Sequence, residues 1–419
     1  MSGFTGNADL MVDHLFRHES GRMVSALTRI FGLSHIEIAE DIVQDTFLKA
    51  LKDWRFNNIP PNPQAWLYKA AKNKTIDYLR HQKHVHDFET ESGSLIKSEW
   101  TMFAEINNVF SDKEINDNQL RMIFASCNPL LPMESRIAFT LKTLCGFNAR
   151  EIAKALLTTE VNINKRLTRA KQKLRDNHLK FDIPQGEELE ARIESVYRVL
   201  YLLFNEGYSA AEAESFIRKD VCAEAIRLTE ILSENAIGNK PKTFALLALM
   251  CFQAARLDAR IDDKGYIILL KKQNRSLWNK TLIARGLEYL SKSAQGDELS
   301  EYHIEAAIAS YHSSSASFGE TNWAEILNLY DILIKIKPSP VTILNRSIVI
   351  AELKSIKEAL NEIKDIKELD QYYLFHATLG EFYTRLNRIS DAKEQYKKAL
   401  KLISSPAEKN LIKQKLLKI

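Results

Sequence analysis

Residues 146–175, GFNAREIAKALLTTEVNINKRLTRAKQKLR, constrain the fold more than any other stretch of this chain. They spell two short helices around a tight break, the second strongly basic. Asn148 and Glu151 form a capping box for the first helix. Ile152, Ala155 and Leu156 give it an apolar stripe at i, i+3, i+4. Thr159 is placed to cap the second helix. Along that helix Ile163, Leu167, Ala170 and Leu174 share one face; Asn162, Lys165, Arg166, Arg169 and Lys173 share another. Residues 161–180 hold seven Lys/Arg against one Asp. A charge run is ordinarily a solvated flank. Here the capped preceding helix and the short break come with it, which predicts a helix-turn-helix with a major-groove recognition helix.

The other bulk properties fit a helical, water-exposed chain. With 14 Gly and 10 Pro in 419 residues, helix breakers are few, while Leu, Ala, Lys and Glu are abundant. A formal net charge of +4 is small for this length, so any nucleic-acid footprint is local. Cys127, Cys145, Cys222 and Cys251 are scattered in apolar contexts and form no CxxC pair; buried free thiols in a reducing compartment are expected. The longest apolar run, Phe244–Phe252, is too short to cross a bilayer. The N-terminus lacks a basic segment followed by an apolar core. The expected setting is the cytoplasm, without membrane attachment.

The expected class is all-α. Residues 9–84 form a first helical block, and 85–114 are polar and aperiodic, read as a linker. Residues 115–180 form a second block ending in the helix-turn-helix. A short hinge with Pro184 follows at 181–188. Residues 188–299 continue as a helical extension, and 300–419 read as a repeat array. Within 373–406, Leu379, Gly380, Tyr383, Ala392, Tyr396 and Ala399 fall at tetratricopeptide spacing, small residues admitting two antiparallel helices and aromatics filling between them. Weaker echoes lie upstream at Ile343–Ile363 and Ile326–Pro338.

The first block narrows the function. Ser34-x-x-Glu37 reads as a second capping box, opening a helix through EIAEDIVQDTFLKALKDW. Ile38, Ile42, Val43, Phe47, Ala50 and Leu51 form its buried stripe. Glu40, Asp41, Gln44 and Asp45 form an acidic, amide-bearing outer face. In the following segment Asn62 caps, with Pro63 at the first helical position. Lys69, Asn73, Asp77 and Arg80 share a face there, with Trp66 and Tyr68 near the start. Residues 66–84 hold five Lys/Arg against one Asp. Aromatic and basic groups together suit single-stranded DNA, whose bases stack and whose phosphates pair.

These segments resemble an extracytoplasmic-function (ECF) sigma factor of bacterial RNA polymerase. AEDIVQDTFLKAL resembles the family's region that docks on the largest catalytic subunit. PQAWLYKAAKNKTIDYLR resembles its −10 recognition helix, and 146–175 its −35-reading domain. RVLYLLFNEGYSA, CAEAIRLTEIL and KKQNRSLWNKTLI resemble the long C-terminal extension of one ECF subgroup that ends in tetratricopeptide-like repeats. The resemblance implies two sigma-type helical domains with core RNA polymerase and promoter DNA as partners, and no cofactor; an extension fused in the same chain suggests control in cis or a soluble regulatory protein at the repeats. It places Asp41, Gln44, Asp45 and Phe47 at the polymerase. It places Trp66, Tyr68, Lys69, Lys72, Asn73, Lys74 and Arg80 on the melted −10 strand. Thr159, Asn162, Asn164, Lys165, Arg166, Arg169 and Lys173 would meet the −35 duplex, mostly through phosphates. The chain departs from the family at Val161, where most members have Gly, and at Asn162-Ile163, where Thr-Val is typical, so base preference does not carry over. Phe47 reads equally as core, and Trp66 more readily as a packing anchor.

Three other readings compete. A conventional helix-turn-helix regulator with a helical sensor would have no use for the acidic and the aromatic-basic helices. A repeat scaffold would have no use for the basic helix. An enzyme is disfavoured: the sequence has no phosphate-cradling Gly-rich loop, no metal-spaced His/Cys cluster and no nucleophile elbow.

Overall fold

The computed structural model describes residues 3–84, 99–156, 158–208, 216–262, 266–403 and 406–419. Among them every regular element is helical, and β-pairing is limited to one isolated antiparallel bridge between Ile261 and Ile267. The chain folds as two compact units, Met1–Leu203 and Phe204–Ile419.

The first unit contains α1 (Gly3–Phe31), α2 (Ile36–Asn57), α3 (Pro63–His84), α4 (Glu99–Val109), α5 (Asp112–Ser126), α6 (Met133–Thr143), α7 (Ala149–Ala155), α8 (Glu160–Asp176) and most of α9 (Glu187–Tyr208). Helix α1 is its spine and packs against both α2 and α5, so the two sequence blocks share one body. Met23, Ala26, Leu27 and Phe31 are fully buried along it.

Three local details differ from the sequence reading. Ser34 does not cap α2. Gly32 at φ 80° and the buried Leu33 turn the chain through a 3-10 turn, and α2 starts at Ile36 with His35 at its cap position, where no side chain caps the helix. The linker contains a helix, α4, because Ile106, Val109 and Phe110 recur at i, i+3, i+4 and are buried. The units divide within α9, well past the expected hinge. Residues early in α9 belong to the first unit: Arg192 Nη2 donates to the Phe124 carbonyl at 2.9 Å, and Ser195 Oγ to the Cys127 carbonyl at 2.6 Å.

The second unit continues with α10 (Phe216–Glu234), α11 (Pro241–Ala254), α12 (Lys280–Ser293), α13 (Glu301–Ser314), α14 (Trp323–Ile336), α15 (Pro340–Leu353), α16 (Ile356–Ile363), α17 (Tyr373–Arg385), α18 (Ile389–Leu402) and α19 (Pro406–Leu417). From α13 onward each helix packs on the next. The small-aromatic pattern serves that packing: a Cβ on Gly380 of α17 would lie 2.6 Å from the Tyr396 ring of α18, and Ala392, Tyr396 and Ala399 are buried. Aromatic residues close the end of α9, where the Phe204 and Tyr208 rings stack 5.8 Å apart and Arg260 lies over Tyr208 at 3.8 Å.

All four cysteines are buried, and burial pushes the thiols of Cys127, Cys222 and Cys251 up to about 12, so they stay protonated.

Candidate nucleic-acid interface

Helices α7 and α8 form the expected helix-turn-helix. The capping box closes reciprocally: Glu151 N donates to Asn148 Oδ1 at 2.9 Å, and Asn148 N to Glu151 Oε2 at 2.8 Å. Thr159 Oγ1 accepts from Asn162 N at 3.2 Å and caps α8. Ile163, Leu167, Ala170 and Leu174 are buried, which fixes the helix face that turns outward. Asn162, Asn164, Lys165, Arg169 and Lys173 are exposed on it, as is Thr159. Besides the capping Thr159, two of these expected DNA contacts are engaged within the chain: Lys173 Nζ donates to the Leu130 carbonyl at 3.2 Å, and Asn162 Nδ2 to Thr158 Oγ1 at 3.0 Å. Arg166 is half-buried and ion-paired with Glu134 of α6.

On α3, Asn62 Oδ1 accepts from Ala65 N at 2.9 Å and caps the helix as expected. Lys69, Asn73 and Arg80 lie exposed. The two aromatics turn inward instead. Trp66 meets Trp54 edge to face with centroids 5.4 Å apart. Tyr68 tilts against Phe110 at 5.5 Å and donates its hydroxyl to Glu19 Oε2 at 2.6 Å. Burial, then the Glu19 carboxylate, holds the Tyr68 phenol well above its usual range. In this arrangement both rings are packing anchors. Lys72 donates to Asn107 Oδ1 at 3.1 Å, and partial burial lowers its ammonium.

On α2, Asp41, Gln44 and Asp45 are exposed, whereas Phe47 is 4% exposed and packs edge to face on Phe16 at 5.0 Å. Phe47 therefore holds α2 on α1. Asp45 ion-pairs with Lys74, joining a residue expected at the polymerase to one expected at the −10 strand. Beside the acidic face lies a cavity of about 590 Å³, lined among others by Phe16, Asp41, Gln44, Phe47, Leu48 and Asn148.

Sequence reasoning missed the way α8 and α2 meet. Lys171 of α8 donates to Glu40 Oε2 of α2 at 2.6 Å, and Arg175 Nη2 donates to Glu37 Oε1 at 3.2 Å. Arg17 of α1 donates to Glu151 Oε1 at 2.7 Å and lies over the Phe147 ring at 4.5 Å. The backbones also fit closely. A Cβ on Gly21 would lie 2.2 Å from the Leu144 carbonyl oxygen, and one on Gly146, at φ +66°, would lie 2.5 Å from Ser20 Oγ. An i, i+4 pattern of Lys171 and Arg175 opposite Glu37 and Glu40 is visible in the sequence, but nothing local says that the two helices touch.

The first unit matches two family models, Sigma-70 region 2 over residues 15–85 and Sigma-70, region 4 over 122–174. Residues 192–294 match a family of unknown function, DUF6596. An uncharacterized protein of Rhizobium meliloti (strain 1021) is 31% identical over 394 residues, covering 94% of this chain and 92% of that one. The chain belongs to that protein's family. A probable RNA polymerase sigma factor of Haemophilus influenzae is 24% identical over 152 residues, 34% of this chain and 78% of that one. The ECF RNA polymerase sigma factor SigM of Bacillus subtilis (strain 168) is 29% identical over 142 residues, 33% of this chain and 78% of that one. No solved structure matches. Regions 2 and 4, with these relatives, support an ECF-type sigma factor, and with it core RNA polymerase and promoter DNA as partners. Among the described residues no helix is long and apolar enough to cross a membrane.

Proposed function

We propose that this protein works in the cytoplasm as an ECF-type sigma factor that recruits core RNA polymerase to two-part promoters, with its helical extension setting the activity. One observation carries most of the reading: a capped, basic helix-turn-helix shares a chain with an acidic region 2 helix whose Asp41, Gln44 and Asp45 are exposed. In this reading α8 takes the −35 duplex through Arg169, Lys165 and the Asn162 and Asn164 amides. Lys69, Asn73 and Arg80 hold the −10 strand, with Lys72 and Lys74 joining when their present partners release them. The successive helix pairs from α13 to α18, edged by the exposed Ile332, Ile336, Ile348 and Leu353, support a soluble regulatory protein as the extension's partner.

The contacts within the first unit also support a closed resting form. The −35 and −10 elements are by name roughly 25 base pairs apart, about 85 Å along B-DNA at about 3.4 Å per pair. A compact chain the length of Met1–Leu203 has a radius of gyration of only about 17 Å. Reading both elements at once therefore requires regions 2 and 4 to separate, releasing Lys171 and Arg175 from Glu40 and Glu37. Core polymerase, which docks on α2, would supply the free energy.

In vitro transcription tests the reading. Full-length protein is added to sigma-free core polymerase and the promoter of its own gene. A specific start site that requires this protein is expected, and its yield rises when Glu37 and Glu40 are both changed to Gln. Silence from both proteins, on core that a reference sigma factor activates, would overturn the reading.

A further inference from the structure

The second unit gathers two partly buried arginines that form no ion pair among its described residues. Arg256 follows α11, and Arg275 lies in the turn before α12. Their guanidinium carbons sit 5.6 and 4.6 Å from the ring centroid of the same residue, Trp278, which is 4% exposed. Among the described residues neither arginine forms an ion pair; their hydrogen bonds go to neutral acceptors. Arg256 Nε donates to Gln273 Oε1 at 3.4 Å, and Arg275 Nη1 to the His312 and Ser315 carbonyls at the end of α13. Arg260 adds a third cation acting on Arg256, and the exposed Glu320 is the carboxylate that acts on Arg275.

Near this pair four unpaired buried atoms donate or can donate, and one, Gln253 Oε1, is an acceptor. Arg275 Nη2, Trp278 Nε1, His312 Nδ1 and Ser313 Oγ are buried without a hydrogen-bond partner. Arginine and indole N–H groups only donate, and an imidazole nitrogen and a hydroxyl do so readily. Buried donors left unpaired are costly, and partial desolvation of two neighbouring cations adds to that cost. Aromatic stacking offsets part of that cost for the guanidinium groups but leaves the N–H edges unused. An oxyanion accepts from such donors and offsets the two cationic charges, whereas a metal cation is repelled by both.

We propose that Arg256, Arg275, Trp278, His312 and Ser313 form a binding site for the oxyanion group, carboxylate or phosphate, of a small metabolite. Its place gives it a consequence. It joins the end of α11 and the turn before α12, both within 192–294, to the last turn of α13, which opens the helix series. A bound anion ties these segments together and makes the packing of the extension depend on a soluble ligand.

The test uses the full chain, freed of oxyanions by dialysis into chloride buffer. Inorganic phosphate and succinate are titrated separately at constant ionic strength, followed by thermal melting and amide hydrogen exchange. We expect one of the two to raise the Tm saturably and to slow exchange at 255–278 and 310–316. A phosphate response points to a phosphorylated metabolite and a succinate response to a carboxylate. Arg256→Met and His312→Phe should each weaken the response about tenfold or more, while Lys271→Gln, an exposed cation outside the cluster, should leave it intact. Wild type that responds to neither anion beyond the chloride control overturns the proposal, as does an unchanged response in both variants. If Arg256→Met does not fold, His312→Phe and the exchange map of the wild type decide the matter.

Discussion

Lys171 Nζ donates to Glu40 Oε2 at 2.6 Å, with both side chains less than one-fifth exposed. The pair ties α8 to the acidic face of α2 through a side chain about 180° round the helix from Asn162, so the clasp holds the two regions together while the Asn162, Lys165, Arg169 and Lys173 face stays outward. Neighbouring Arg175 and Glu37 repeat the arrangement. The Lys171–Glu40 pair is screened less than the exposed Arg175–Glu37 pair and costs binding energy to open.

Neutralising the acidic side should free α8 for DNA. Two contacts of about 0.5–1 kcal/mol each set the scale, so Glu37→Gln with Glu40→Gln should tighten binding to a −35-type duplex about five-fold or more. Fluorescence anisotropy at fixed salt measures it. An unchanged Kd would show that the clasp does not restrict α8.

The exposed cations of α8 should separate from the engaged one. Arg169→Ala should weaken binding on all sequences alike and lower the slope of log K against log salt by about 1, the mark of one lost phosphate contact. Arg166→Ala should do less in the free chain, because Arg166 already pairs with Glu134. A salt titration of both variants gives the comparison; equal slopes would place Arg166 on the DNA as well.

Gly21→Ala weighs two opposed effects. Alanine is the better helix residue by about 1 kcal/mol. Its methyl would overlap the Leu144 carbonyl, which lies 2.2 Å from the Cβ position and belongs to backbone that cannot rotate away. Overpacking costs about 1–3 kcal/mol and more where backbone must move. The clash should win, with net destabilisation and faster hydrogen exchange along α1 and 144–147. A more stable variant would mean that α1 and Leu144 do not pack in solution.

The helix-turn-helix was legible because its determinants are local: a cap three residues from its partner and an apolar stripe at helical period. Thr159, Asn148, Glu151 and the buried Ile163-Leu167-Ala170-Leu174 face all fall where periodicity puts them. The cap at Ser34 failed because a tertiary demand, burial of Leu33, outweighs a local hydrogen bond. Trp66, Tyr68 and Phe47 show the same limit. An aromatic on a helix next to basic residues fits a base or a neighbouring ring equally well, and only the position of Trp54, Phe110 and Phe16 decides. The arginine pair escaped notice because Arg256 and Arg275 lie apart in sequence and become neighbours only through Trp278.

His312 makes the second unit sensitive to acid. Burial first, then the Arg256 and Arg275 cations, pushes its imidazole down to about 4, against an ordinary value near 6.5. The folded state therefore holds the neutral ring, while the unfolded chain takes up a proton as pH falls below 6.5. By linkage, a depressed folded value gives stability that is complete above 6.5 and is lost between 6.5 and about 4. Urea midpoints of the second unit should fall across that window. His312→Phe, which keeps the edge-to-face contact with Trp323 at 5.4 Å but has no proton to gain, should flatten the fall. An oxyanion beside the ring acts in the opposite sense to the arginines, favouring the imidazolium. Protein saturated with the anion that binds should then retain more of its stability at pH 5 than protein in chloride. A variant as acid-sensitive as wild type would place the titrating group elsewhere.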